Sequence, residues 1–195
     1  MTLECIAQAI HSCTNCPLNQ APYSPGLPTP GVGSPNAKLM IIGRDPGAEE
    51  AEEGIPFIGR AGKVLQTLLV KYNLSLNDVF ITNIVKHRPP NNREPTQEEQ
   101  EACRIWLEKQ IAIIQPKAIL VLGNTAALSI AAIERLQIPK TKLRGKEFEL
   151  WSFDNVIKVK CSWHPSYIIR GNWQALDELE EDLKTAIEWR NNDWS

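Results

Sequence analysis

No apolar run in the chain approaches the roughly 18 residues that a membrane span requires. The opening stretch MTLECIAQAIHSC lacks the basic start, apolar core and small-residue cleavage site of a secretory signal. These absences make a cytoplasmic protein the expectation. Excess charge of either sign is lacking too: 21 Lys and Arg against 23 Asp and Glu leave a formal net charge of -2. Nothing global advertises a polyanionic partner, so any nucleic-acid surface has to be a local patch. Internal repeats and low-complexity segments are also missing. Cysteine is sparse and odd in number, five in all, yet Cys13 and Cys16 are spaced C-x2-C. In a reducing compartment that spacing points to metal binding or redox chemistry before a structural disulfide. What is present is an ordinary globular composition, 43% hydrophobic and 23% charged, in 195 residues. That length fits one domain, 1–195, with a real core.

Strand and helix signals alternate. KLMIIG (38–43), VFITNIV (79–85), KAILVLG (117–123) and VIKVK (156–160) are short β-branched or leucine-rich runs, and KEFELW (146–151) is a weaker one. Between them, Val64, Leu65, Leu68 and Leu69 recur at helical spacing over 61–72. Thr96 and Glu99 form a capping-box pattern that opens a helix over 97–114. Asn124 or Thr125 caps a third helix through about 135, and 173–190 reads as a last one. This order predicts a three-layer α/β/α sandwich around a central, mostly parallel four-stranded sheet. In such sheets ligands bind at the carboxyl ends of the strands, where loops 43–60, 86–96 and 161–172 emerge. Asp45, between Arg44 and Pro46, stands at that edge; taken alone, Asp before Pro-Gly is equally a turn former.

Taken together, the loops say more. CTNCPL, GRDPGAEEAEEGIPFIGRAGKVL, FITNIVKHRPPNNREP, a cysteine in the following helix, LVLGNTAA, KLRGKEFE and SWHPSYIIRG occur in order from about residue 10 to 190. Their order and spacing resemble those of the iron-sulfur uracil-DNA glycosylases, family 4 of that superfamily. The resemblance implies a monofunctional enzyme that flips uracil out of DNA and hydrolyses its glycosidic bond. It places Phe57 as the residue stacked on the base, Asn83 as the reader of its polar edge, and His164 as the hydrogen-bond donor to the anionic leaving group. An amide offers a donor and an acceptor side by side, which suits N3–H and O4 of uracil and mismatches cytosine. An asparagine inside an apolar strand is otherwise hard to explain by packing.

The chain departs from the family pattern at two points. Where family 4 usually has G-E-G-P-G or G-E-A-P-G, this chain has G-R-D-P-G. Arg44 replaces the acidic residue, and Asp45 falls where family-1 enzymes carry the aspartate of G-Q-D-P-Y-H. A carboxylate there can stabilise an oxocarbenium-like sugar and orient water, so Asp45 is the expected catalytic acid group, ahead of Glu49 and Glu50. Gly47 falls where family 1 has the tyrosine that excludes thymine, which leaves base preference open, a damaged base other than uracil included. The second departure is His87, in VKHRPP, at the position of a cluster cysteine. The implied ligands are Cys13, Cys16, His87 and Cys103 around a four-iron four-sulfur cluster; three thiolates and an imidazole also suit zinc. DNA-crosslinking relatives share this histidine, but 88–102 lacks the further histidine their reaction needs. Cys5 and Cys161 match no ligand position.

For DNA contact the chain offers PKTKLRGK with Lys142, Arg144 and Lys146, then Lys86, Arg88 and Arg93 beside the metal loop, and Arg170. Tyr167, Ile168 and Ile169 are expected to be loop residues able to wedge into the space left by a flipped base. The expected partner is single- or double-stranded DNA containing uracil, bound by a monomer that is nucleoid-associated through that DNA. A non-catalytic iron-sulfur DNA-binding or redox-sensing protein is the other class of reading; it needs no carboxylate in reach of the sugar.

Overall fold

The computed structural model describes residues 1–20, 26–138, 141, 143–152 and 155–192. Helix α1 (Leu3–His11) precedes strands β1 (Val32–Gly33) and β2 (Leu39–Gly43), helices α2 (Ala48–Glu53) and α3 (Arg60–Lys71), and strand β3 (Val79–Asn83). Helix α4 (Gln97–Ile114), strand β4 (Ala118–Leu122) and helix α5 (Asn124–Ala131) follow. Strands β5 (Glu147–Ser152) and β6 (Asn155–Ser162) and helices α6 (Pro165–Ile169) and α7 (Ala175–Asn191) complete the order.

Among the described residues the sheet has six strands in the order β1-β3-β2-β4-β6-β5, two more than the sequence reading of four. The four expected strands are its parallel centre, β3-β2-β4-β6, and the additions are antiparallel edges. The physical reason is visible in each. Strand β1 is two residues long, too short to show periodicity. Strand β5 alternates glutamates with Phe148 and Leu150, as an edge wetted on one face does. The central strands β2, β3 and β4 are buried at every position, as a parallel sheet covered on both faces requires.

One face packs Met40, Ile42 and Val121 against Leu107 and Ile111 of α4 and Ile130 of α5. The other packs Leu39, Ile41 and Leu120 against Leu65 and Leu68 of α3 and Leu179 and Leu183 of α7. Helix α4 opens as its sequence predicts: the Thr96 hydroxyl accepts from Glu99 N–H, and the Glu99 carboxylate accepts from Thr96 N–H at 2.8 Å. No helix among the described residues is long and apolar enough to cross a membrane.

Candidate active site

All four parallel strands end at one edge of the sheet, and a cavity of about 500 Å³ opens there. Strand β2 delivers Arg44 and Asp45, β3 ends on Asn83, β4 runs into Gly123, and β6 leads to Trp163 and His164; all of these residues line the cavity. Phe57, Gly47, Tyr167 and Arg170, also anticipated from sequence, line it as well. Hydrogen bonds from Ile84 N–H to the Gly43 carbonyl and from Val85 N–H to the Arg44 carbonyl, 3.0 and 3.1 Å, continue the β2–β3 register past both strand ends and hold the GRDPG turn against the Asn83 segment.

Asn83 is 1% exposed, and its Oδ1 is buried without a hydrogen-bond partner. An orphaned acceptor of this kind carries a desolvation penalty unless a ligand supplies the donor. The Phe57 ring lies close by: a Cβ placed on Gly43 would stand 2.5 Å from both Asn83 Oδ1 and Phe57 Cζ. Phe57 itself has a left-handed backbone, φ 58°, which is costly for an aromatic residue. Its carbonyl accepts from Gln66 Nε2 at 2.8 Å, and Gly62 packs so closely beneath it that a Cβ there would collide with that oxygen. The strain is therefore held by the start of α3.

His164 caps α6, its Nδ1 accepting from Ser166 N–H at 3.1 Å and lying 2.8 Å from Ser166 Oγ. With Nδ1 occupied as an acceptor, the imidazole proton resides on Nε2. Burial, reinforced by the charges of Arg44 and Arg170, pulls its pKa down to about 4, so the ring is neutral at ordinary pH. The Phe57 and His164 rings stand 5.8 Å apart, tilted by 33°.

The Asp45 side chain is 7% exposed and pairs with Arg44, whose Nε and Nη2 both reach it. Burial raises the Asp45 pKa while Arg44 holds it back. Arg44 also reaches Glu94 at 3.4 Å, and Glu94 accepts from Thr125 Oγ1 at 3.0 Å, closing a polar rim from the GRDPG turn to α5. Glu94 lies outside the sequence-predicted set; its position two residues before an N-cap carries no signal of its own. Of the two loop glutamates, Glu50 is structural in its contacts. Its Oε1 accepts from Gly59 N–H at 2.9 Å, and its Oε2 sits 2.4 Å from where a Gly47 side chain would begin. The wall beside Gly47 is thus a carboxylate.

The cysteine-bearing segments meet beside this edge. Cys103 of α4 packs with Leu18 and Val85, and Cys16 and Trp106 lie against them. Burial pushes the Cys103 thiol up to about 11; Lys86 pulls the other way, and Cys16 and Cys13 are near enough to add to the rise. Backbone N–H of Lys86 donates to Cys103 Sγ at 3.3 Å, and Trp106 Nε1–H to Cys13 Sγ at 3.2 Å. His87 is buried with Nε2 unpartnered, and burial, with His11 nearby, lowers its pKa to about 4. A neutral imidazole with a free nitrogen, one residue along from the Lys86 N–H that binds Cys103 Sγ, makes with the three thiols a donor set whose chemistry fits a cluster. Among the described residues no three His, Cys, Asp or Glu side chains converge tightly enough for a single ion. Cys5 is exposed and Cys161 lies in the sheet core, where burial pushes its thiol up to about 12.

Several expected DNA contacts are corrected. Ile168 is 0% exposed and packs in the core, because α6 is folded against α3 and α7, so it cannot wedge into DNA. Tyr167 is stacked on Trp163 at 4.6 Å, and Ile169 is half-buried. Arg144 is surrounded by Glu178, Glu181 and Asp182 of α7 at 3.3 to 3.5 Å, which satisfies its charge within the protein. Lys86 is fully buried, and Arg93 pairs with Glu99 at 2.6 Å. Lys146 and Arg170 are exposed, and Arg88 is half-buried. Lys142 lies outside the described residues.

A sequence model of the uracil DNA glycosylase superfamily matches residues 30–186. The type-4 uracil-DNA glycosylase of Archaeoglobus fulgidus is 36% identical over 184 residues, 94% of this chain and 90% of that one. Its counterpart in Thermotoga maritima is 37% identical over 94% of this chain and 92% of its own. That of Sulfurisphaera tokodaii is 40% identical, over 96% and 84% respectively. Shared along nearly its whole length with proteins of this kind, and folded so that their loop motifs meet at one sheet edge, the chain belongs to the uracil-DNA glycosylase superfamily, in its type-4 branch.

Proposed function

We propose that the protein is a monofunctional uracil-DNA glycosylase of base excision repair, acting as a monomer on single- or double-stranded DNA. The observation that carries this reading is the buried, unpartnered Asn83 Oδ1 in the cavity that Phe57 and His164 also line. A uracil flipped into the cavity supplies N3–H to that oxygen and O4 to the amide nitrogen of the same side chain. Phe57 offers the face on which the base stacks, and His164 Nε2–H is the donor left to face O2. The Glu50 carboxylate beside Gly47 narrows the pocket where a bulkier base would press.

Bond cleavage is heterolytic. The C1′–N1 pair leaves with uracil as an anion, and positive charge builds on the sugar. Asp45 stabilises that charge and orients a water, whose oxygen bonds to C1′ while its proton passes to Asp45 or solvent. The uracil anion is then protonated from solvent. A neutral His164 suits this step, since a hydrogen bond to O2 stabilises the anion without surrendering a proton. Arg44 occupies the family's acidic position, cannot act as a base, and holds Asp45 in place. Cys13, Cys16, His87 and Cys103 would hold a four-iron four-sulfur cluster in preference to zinc. Bound there, the cluster would supply a redox-capable cross-link between the amino-terminal segment, the loop after β3 and α4. Lys146, Arg88 and Arg170 are the cations available for phosphates.

Incubation with uracil-containing single- and double-stranded oligonucleotides, followed by alkali, tests the reading directly. Asn83→Asp is expected to lose most uracil excision, because a carboxylate cannot donate to O4. Intact DNA from the wild-type protein would leave a non-catalytic iron-sulfur binding protein. Unchanged excision by Asn83→Asp would remove that residue from recognition.

A further inference from the structure

Behind the base-reading residue lies a group the mechanism above does not use. Lys86 is 0% exposed, the largest fully buried side chain among the described residues, and no carboxylate among them pairs with it. Its Nζ lies 2.7 Å from Thr82 Oγ1, 2.8 Å from the Asn83 carbonyl and 2.8 Å from Gln110 Oε1. Each of these can only accept. The Thr82 hydroxyl proton is directed at the Pro30 carbonyl at 3.0 Å, and Gln110 Nε2 donates to the same carbonyl at 2.6 Å. Three acceptors call for three N–H bonds, and only an ammonium has three. The geometry thus stores a positive charge that no carboxylate pairs with, set against the main chain of the uracil-reading residue; the Cys103 thiol, whose Sγ accepts from Lys86 N–H at 3.3 Å, is the group beside it able to carry opposite charge. A buried charge that no carboxylate pairs with is costly, and that cost points to a role.

We infer that Lys86 is a positioning residue for uracil excision: its ammonium clamps the Asn83 main chain and presents a fixed positive charge to the departing uracil anion. This rests on the function proposed above. In the unreacted complex the base is neutral and gains little from the charge. As the C1′–N1 bond breaks, negative charge spreads onto N1, O2 and O4, and the interaction becomes favourable in a poorly screened site. Preference for the transition state over the ground state is the condition for acceleration. Thr82, Gln110 and the Asn83 carbonyl around Nζ are neutral, so no carboxylate there cancels the field, and a Cys103 thiolate would offset it in part from the side of the Lys86 main chain.

The test compares leaving groups. Fluorine at C5 makes the departing base a more stable anion, so 5-fluorouracil needs less help than uracil. Single-turnover excision from single-stranded oligonucleotides carrying either base is measured for the wild type, Lys86→Met and Gln110→Glu. Lys86→Met keeps the length and removes the charge. Gln110→Glu leaves the lysine in place and sets a carboxylate against it. Both variants are expected to lose roughly 10- to 100-fold on uracil and several-fold less on 5-fluorouracil. Equal losses on the two bases, with or without loss of visible absorbance from a metal centre, would mean a merely structural lysine and overturn the inference. Should Lys86→Met fail to fold, Gln110→Glu decides alone. A wild-type protein that releases neither base overturns the proposed function itself, a result distinct from equal losses in the variants.

Discussion

Gly43→Ala is a sharp probe of the candidate site because it adds one methyl group at a known place. Gly43 ends β2 with no positive φ, so alanine suits its backbone and should cost the fold little. The new Cβ would stand 2.5 Å from Phe57 Cζ and 2.5 Å from Asn83 Oδ1. Ordinary contact begins at 3.4 Å, leaving a shortfall of about 0.9 Å that close packing must absorb. Both obstructing atoms are tips of side chains, so it is the stacking ring and the reading amide that move, not the sheet. A displacement of about 1 Å in groups that position a substrate costs on the order of 10²-fold in rate. The measurement is single-turnover excision from a single-stranded uracil oligonucleotide, scored by alkali cleavage, with thermal unfolding and affinity for product DNA as controls. Stability and affinity should stay near wild type while the rate falls. A folded Gly43→Ala variant that excises uracil at the wild-type rate would refute the placement of Phe57 and Asn83 at the base.

Asp45→Asn keeps the size of the side chain and removes its charge, and should lower the single-turnover rate by roughly 10²-fold or more with DNA affinity little changed; a near-normal rate would reduce Asp45 to a turn residue. Arg44→Ala removes the group that restrains the Asp45 pKa, so the acid limb of the rate profile should move to higher pH; an unmoved limb would contradict the pairing. His164, with its pKa near 4, should give no break at the ordinary histidine value, and the rate should hold flat from about pH 7 to about pH 6. The same depression means that stability present above about pH 6.5 is lost as pH falls toward 4, by about 3 kcal/mol if the unfolded histidine is normal, which urea unfolding across that range measures. The protein purified without oxygen should be brown, His87→Cys should keep the colour, and Cys103→Ala should lose it with stability; colourless wild-type protein carrying stoichiometric zinc would replace the cluster.

The four parallel strands and the helices between them were legible in sequence because each is a local pattern: continuous apolar runs for strands buried on both faces, and 3.6-residue spacing or a capping box for helices. Asn83 was legible for a related reason, a polar residue at the end of an apolar strand having no local use. Of the edge strands, β5 was legible only as the weaker run KEFELW, and β1 was not, since a two-residue pairing such as Val32–Gly33 exists only through its neighbour. Charge misled most. Lys86, Arg93 and Arg144 read as surface cations beside their sequence neighbours, yet Lys86 is enclosed by Thr82, Gln110 and the Asn83 carbonyl, Arg93 by Glu99, and Arg144 by the carboxylates of α7. Ile168 likewise looks free in a short loop motif and is core once α6 lies against α3 and α7. The chain by itself determined which chemical groups are available and which strand end carries them. Tertiary structure decided which were freed for a substrate and which were spent inside the protein, because a side chain's partner is whatever long-range packing sets beside it.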